Sequence, residues 1–139
     1  ERTAEELKFS LGSAFPLPEE IPGEARGRDQ ITGLPKTVAI TSTEIREAIK
    51  EPVTEIVFSL RRVVEDTPPE LISDIMHKEI VMTGGGALLR GIDELISKEL
   101  GMRVSLAEDP LSCVALGAGK TLEHFTALRR ALARTKKTT

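Results

Sequence analysis

One stretch constrains the fold more than any other. Ile80-Val81-Met82-Thr83 is a short apolar strand, and Gly84-Gly85-Gly86 follows it directly. Leu88, Ile92, Leu95 and Ile96 then recur at helical spacing, which predicts a helix over 87–100. Met102–Ala107 reads as a second strand. Asp109-Pro110 opens a last helix carrying Leu111, Val114, Ala115, Ala118, Leu122 and Phe125, with Asp109 as its N-cap. Strand, helix, strand, helix in this order is the signature of a parallel sheet with helices packed on it. Glycines between a strand and a helix let the backbone come close to a ligand, and a helix N-terminus behind them favours a phosphate or other polar group. Without a ligand, the same residues make a tight strand-to-helix turn.

The upstream residues differ in kind. Thr3–Leu11 holds strong helix formers, a Thr able to cap the start, and glutamates (Glu1, Glu5, Glu6) suited to a helix N-terminus. Gly12 and Ser13 stop it, and three prolines between Phe15 and Gly23 give an extended loop. Residues 24–30 and the alternating Lys36–Thr41 predict a hairpin around Thr32-Gly33-Leu34-Pro35, its first strand polar and at an edge. Thr41-Ser42-Thr43-Glu44 is a capping box. The helical pattern Ile45, Ile49, Val53, Ile56, Val57, Leu60, Val64 is interrupted by Pro52, which predicts a kink or two abutting helices. Thr67-Pro68-Pro69-Glu70 starts a short helix to about Met76.

Composition narrows the function classes. The 139 residues are 40% hydrophobic and 29% charged, the balance of a soluble globular domain. No run of about eighteen apolar residues is present, so no transmembrane helix is encoded. A formal charge of −3 argues against a chain built to bind nucleic acid, and four Phe with no Trp or Tyr leave no aromatic platform for bases. Cys113 is the single cysteine and forms no intrachain disulfide; it reads as a buried small hydrophobe and fits a reducing compartment. The segment Thr126–Thr139 carries five basic residues and no acidic one, so it is +5 in a chain of net −3. Such a tail suits an anionic surface or an acidic partner, or is a solvated, frayed end.

Several motifs fall away. Gly119-Lys120-Thr121 ends like a P-loop, but Val114 stands where its first glycine belongs, and the residues lie in a helical apolar pattern. The triplet is not a dinucleotide fingerprint, because Leu89 replaces its last glycine. His77 and His124 are far apart, and no metal or nucleophile motif is present. Glu5 and Lys8 lie one turn apart and are placed to pair.

The stretch from Ile80 to Gly91 resembles the adenosine motif of the actin superfamily, and Ala107–Gly117 resembles that superfamily's second connecting helix. Glu1–Lys8, Arg26-Gly27-Arg28-Asp29, Thr32-Gly33-Leu34-Pro35 and Pro68-Pro69-Glu70-Leu71 are similar to the MreB family of bacterial rod shape-determining proteins. The resemblance runs from Glu1 to about Glu123. It implies a partial actin-like α/β fold of the actin, chaperone and sugar-kinase superfamily. Residues 1–11 and 77–125 would belong to the inner subdomain of the second lobe, residues 12–76 to its outer subdomain, and 126–139 to a basic tail. It implies an ATPase that polymerises into membrane-associated filaments in the cytoplasm and guides cell-wall synthesis. Partners would be filament neighbours and the cell-wall elongation machinery, with membrane attachment through the first lobe.

Carried over residue by residue, the resemblance places Glu5, Glu6, Leu7 and Lys8 beside the adenosine. Gly84, Gly85, Gly86 and Ala87 form the turn under the nucleotide, and Leu88 and Leu89 wall the base. ATP or ADP with Mg²⁺ is the implied cofactor of the intact protein. The family's two phosphate hairpins and its Mg²⁺ carboxylates are not among these residues, so this segment alone is expected neither to hydrolyse ATP nor to hold nucleotide tightly. A partial sheet also predicts exposed apolar surface, low stability and self-association. Alternatives are another ATPase of the superfamily, such as a chaperone or a sugar kinase, or an interaction module that binds no nucleotide.

Overall fold

The computed structural model describes residues 2–124. The basic tail, Phe125 and Glu1 lie outside the described residues. Helix α1 (Arg2–Leu11) is followed by strands β1 (Pro22–Arg28) and β2 (Pro35–Thr41), helices α2 (Ser42–Ala48), α3 (Lys50–Glu65) and α4 (Pro69–Met76), and strand β3 (Ile80–Met82). A single 3₁₀ turn (Gly85–Leu88) then leads to α5 (Ile92–Leu100), β4 (Val104–Leu106) and α6 (Cys113–Glu123).

β1 and β2 form the expected antiparallel hairpin, from Pro22 opposite Thr41 to Arg28 opposite Pro35. Its tip is tied down by Asp29, whose carboxylate accepts from the amides of Ile31 and Thr32 at 2.9 Å and from Lys36 at 3.0 Å. β3 and β4 pair in parallel, Ile80 with Val104 through Met82 with Leu106, with α5 as the crossover between them.

The capping box forms. The Thr41 amide donates to the Glu44 carboxylate at 2.8 Å, and the Glu44 amide donates back to Thr41 Oγ1 at 3.3 Å. α2 and α3 abut at Ile49, which places Pro52 in the first turn of α3, where its missing N–H costs least.

Two helices begin where the sequence pattern does not put them. The stretch predicted as one helix over 87–100 is split: the 3₁₀ turn ends in an extended Leu89, and Gly91 at φ +69° starts α5. The cause is distant in sequence, because Arg90 makes a parallel bridge with Ser13 and its carbonyl is taken by the Ala14 amide at 2.7 Å. α6 opens at Cys113, not at Asp109-Pro110; Asp109 accepts from the Ser112 amide in the turn before it. Thr3 lies inside α1 and does not cap it. Cys113 is half-buried, its thiol donating to the Asp109 carbonyl at 3.0 Å.

The core is narrow. Val53 and Val57 from α3 meet Ile92 and Ile96 from α5, and Ala14, Ile49, Leu60, Met82, Leu89, Leu95, Leu100 and Val104 pack around them. α1 rests on β1 and α2, while α3 packs on α5, beyond the residue-76 boundary in sequence. A polar cluster fastens the proline loop to α2. Ser13 and Ser42 are fully buried; Arg46 donates to Ser13 Oγ at 3.2 Å and to Glu20 at 2.7 Å, and the Ser42 hydroxyl donates to Glu20 while accepting from the Ile21 amide. Much apolar surface stays exposed, as the partial sheet predicts: Val81 and Leu106 on the strands, Ile56, Phe58 and Val63 on α3, and Val114, Leu116 and Leu122 on α6.

Candidate nucleotide site

A cleft of about 440 Å³ opens between α1 and the glycine turn. α1 contributes Glu5, Lys8 and Phe9 to it, with Gly12 just beyond the helix end. Across the cleft stand Gly85, Gly86, Leu88, Leu89 and Arg90, and Leu111 closes one side. Two walls separated by some eighty residues in sequence are thus brought face to face.

Each wall is set by local chemistry. Gly84 leaves β3 at φ +85°, a left-handed conformation that L side chains rarely adopt, and its amide donates to the Pro110 carbonyl at 2.7 Å. That bond anchors the turn to the strand-to-helix connection that also supplies Leu111. Gly85 and Gly86 are different. Neither has a positive φ; among the described residues a Cβ on Gly86 would meet nothing within 4 Å, and one on Gly85 would touch only Leu111 Cδ2 at 3.6 Å. Among the described residues nothing requires glycine at these two positions, yet both line the cleft. Space left bare over two consecutive backbone units is what close approach of a ligand needs.

The cleft is apolar inside, through Phe9, Leu88, Leu89 and Leu111, with the Glu5 carboxylate and the Lys8 ammonium on one wall. The Lys8 ammonium stands 5.1 Å from the centroid of the Phe9 ring. A flat apolar group between leucines, with hydroxyls toward a carboxylate, suits this lining.

Of the residues picked out in the sequence, Glu5, Lys8, Gly85, Gly86, Leu88 and Leu89 line the cleft. Glu6 is exposed and pairs with Arg2 at 3.1 Å, so it, and not Glu5, makes the ion pair of α1. Leu7 is half-buried, Ala87 is buried beneath the turn, and Gly84 shapes the turn without lining the cleft. Phe9, Gly12, Arg90 and Leu111 line it without having been picked out. Phe9 follows Lys8 directly and was within reach of a helical-face argument; Arg90 depends on a contact with α1 that sequence spacing does not carry. Among the described residues there is no group of three His, Cys, Asp or Glu placed to hold a metal ion, and no helix long and apolar enough to cross a membrane.

The profile of the MreB/Mbl protein family matches residues 1–130. The cell shape-determining protein Mbl of Bacillus cereus is 48% identical over 133 residues, covering 95% of this chain and 40% of that protein. The cell shape-determining protein MreB of Escherichia coli is 50% identical over 123 residues, covering 88% of this chain and 35% of that protein. Among solved structures, MreB5 of Spiroplasma citri bound to AMPPNP superposes with a TM-score of 0.84 at 34% identity, over 94% of this chain and 39% of that one. The chain therefore spans about two fifths of the length of the relatives it matches.

Proposed function

The chain belongs to the MreB/Mbl protein family, and we propose that it supplies the adenosine-facing wall of the ATP site in an actin-like cytoskeletal protein that determines cell shape. One observation carries the reading: Gly85 and Gly86 line the cleft opposite Glu5 and Lys8, with nothing among the described residues that would forbid a Cβ at either. The base would lie between Leu88, Leu89 and Phe9, and the ribose hydroxyls would donate to Glu5. The similar MreB5 is a nucleotide complex, which supports the same assignment.

ATP hydrolysis is positioning and electrostatics around the γ-phosphate and its Mg²⁺. The cleft residues serve the nucleoside end, and the described residues offer no metal cluster. On this reading the segment binds nucleoside weakly and hydrolyses nothing by itself, while the intact protein takes ATP or ADP with Mg²⁺. Self-association into filaments fits the apolar surface left bare on the strands and on α6. Membrane attachment and contact with the cell-wall machinery belong to the same reading and would involve the rest of the intact protein.

The test is a titration of the chain with adenosine, followed by its amide NMR signals. Millimolar adenosine is expected to shift Glu5, Lys8, Gly85 and Gly86, and inorganic triphosphate is not. If adenosine moves none of these signals, the reading fails. Micromolar binding of Mg·ATP by the chain alone would mean the site is complete here, and the half-site account would be replaced.

A further inference from the structure

The two walls of the cleft rest chiefly on different elements. α1 rests on β1 and α2, whereas the glycine turn packs with α5. What joins them is concentrated at Arg90. Its guanidinium Nη2 donates to the carbonyl of Phe9 at 2.9 Å and also to the carbonyl of Ser10, the exposed acceptors at the C-terminal end of α1. These carbonyls lack helical partners and carry the negative end of the helix dipole, so a guanidinium is matched to them in charge and in donor geometry. The Arg90 backbone accepts from Ala14 at 2.7 Å and pairs in parallel with Ser13. Its neighbour Gly91 sits at φ +69°, where a Cβ would come within 2.7 Å of Phe15 Cβ. The turn is thus pressed against the segment that leaves α1, and among the described residues the side-chain hydrogen bonds from the turn region to α1 are those of Arg90.

We propose that Arg90 is the positioning residue of the nucleotide cleft: by holding the last turn of α1, it sets the separation between Glu5 and Lys8 on one wall and Gly85 and Gly86 on the other. The inference rests on the nucleotide reading for its functional meaning but not for its structural content. Arg90 lines the cleft, yet its engaged donors point at the α1 carbonyls, so it acts through α1 and not by gripping the base. The backbone bond from Ala14 uses no side-chain atom, so losing the guanidinium makes it open more often without severing the link.

The experiment compares the 139-residue chain with Arg90→Met and Arg90→Lys. Amide hydrogen exchange reads the link. Arg90→Met is expected to speed exchange at Gly12 and Ala14 by about tenfold, the scale of losing charge-assisted hydrogen bonds, while Ile92 and Ile96 keep their protection. Arg90→Lys keeps a cation at the helix end and should restore part of the difference. Adenosine affinity is expected to fall about tenfold in Arg90→Met and to recover partly in Arg90→Lys. A uniform rise in exchange across the chain, or none at Gly12 and Ala14, would overturn the proposal. So would an unchanged adenosine affinity in Arg90→Met. If the unaltered chain ignores adenosine, the nucleotide reading fails on that result, and the exchange data alone decide whether Arg90 positions α1.

Discussion

The amide of Gly12 donates to the carbonyl oxygen of Lys8 at 2.9 Å, and that same oxygen occupies the space where any larger residue at position 12 would set its Cβ. Gly12 closes α1 and lines the cleft at once. Gly12→Ala is therefore expected to force open the last turn of α1, at a cost of about 1–3 kcal/mol, the range for inserting an atom into filled space. The opening should displace Lys8 as well. Urea unfolding checks the first effect, and the chemical shifts of Lys8 and Phe9 check the second. A variant with wild-type stability and unmoved Lys8 signals would show that the helix end yields without cost.

Acid should weaken the fold through two carboxylates. Hydrogen bonds from the Arg46 guanidinium and the Ser42 hydroxyl hold Glu20 at about 2 against an ordinary 4.5. The Thr32 amide, the Lys36 ammonium and the Ile31 amide hold Asp29 at about 2 against 3.8. Both values are depressed in the folded chain, so the stability these groups contribute is fully present above the ordinary values and is lost as pH falls toward 2. The thermal midpoint is expected to drop between about pH 4.5 and about pH 2. Glu20→Gln, which cannot bind a proton there, should lower the midpoint at neutral pH and flatten its fall with acid. An acid profile identical to that of the parent chain would remove Glu20 from the account.

What could be read from the sequence, and what could not, divides by range. The Thr41–Glu44 capping box and the junction of two abutting helices ahead of Pro52 are interactions within a few residues, and both follow from the local pattern, the junction falling at Ile49 with Pro52 in the first turn of α3. The hairpin follows from the alternation through Val38 and Ile40 and the turn residues before it. The split at Leu89–Gly91 does not follow from any local pattern, because Leu88 and Ile92 keep perfect helical spacing and it is Ser13 and Ala14 that pull the backbone out. Six of the ten residues lining the cleft were picked out in the sequence: the glycines announce a turn by local pattern, whereas Glu5, Lys8, Leu88 and Leu89 were placed at the site by the family resemblance. Arg90 gives no such signal, since its meaning lies in two carbonyls eighty residues away.

The core is narrow enough for one side chain to decide whether the chain folds. Ile96 is 3% exposed and meets Val53 and Val57 across the α3–α5 contact. Ile96→Ala removes that burial and leaves a cavity, for about 2–5 kcal/mol. A fold with so much exposed apolar surface has little reserve against a loss of that size. The cooperative urea transition is expected to vanish or shift to a far lower midpoint. Ile56→Ala, on α3 but half-exposed, should change stability by less than about 0.5 kcal/mol. Equal effects from the two would mean that α3 and α5 do not form the stabilising contact.

Adjacent glycines in the turn should separate backbone need from ligand need. Gly84 holds φ +85° with ψ 171°, a region essentially reserved to glycine, so Gly84→Ala strains the turn by about 1–3 kcal/mol whatever the cleft contains. Gly85 has no such φ, and its Cβ position lies 3.6 Å from Leu111 Cδ2, an ordinary contact. Gly85→Val therefore has room for its Cβ and adds bulk at the cleft lining. Its thermal midpoint is expected to stay within about 3 °C of the parent, the shift that a change of half a kcal/mol produces in a domain of this size. Adenosine should no longer shift Glu5 and Lys8, although neither residue is touched by the change. Loss of binding without loss of stability is what a ligand-facing glycine predicts, and a purely structural glycine predicts the reverse. Should Gly85→Val bind adenosine as the parent does, the nucleoside does not cross the turn at Gly85, and the bare backbone there needs another explanation.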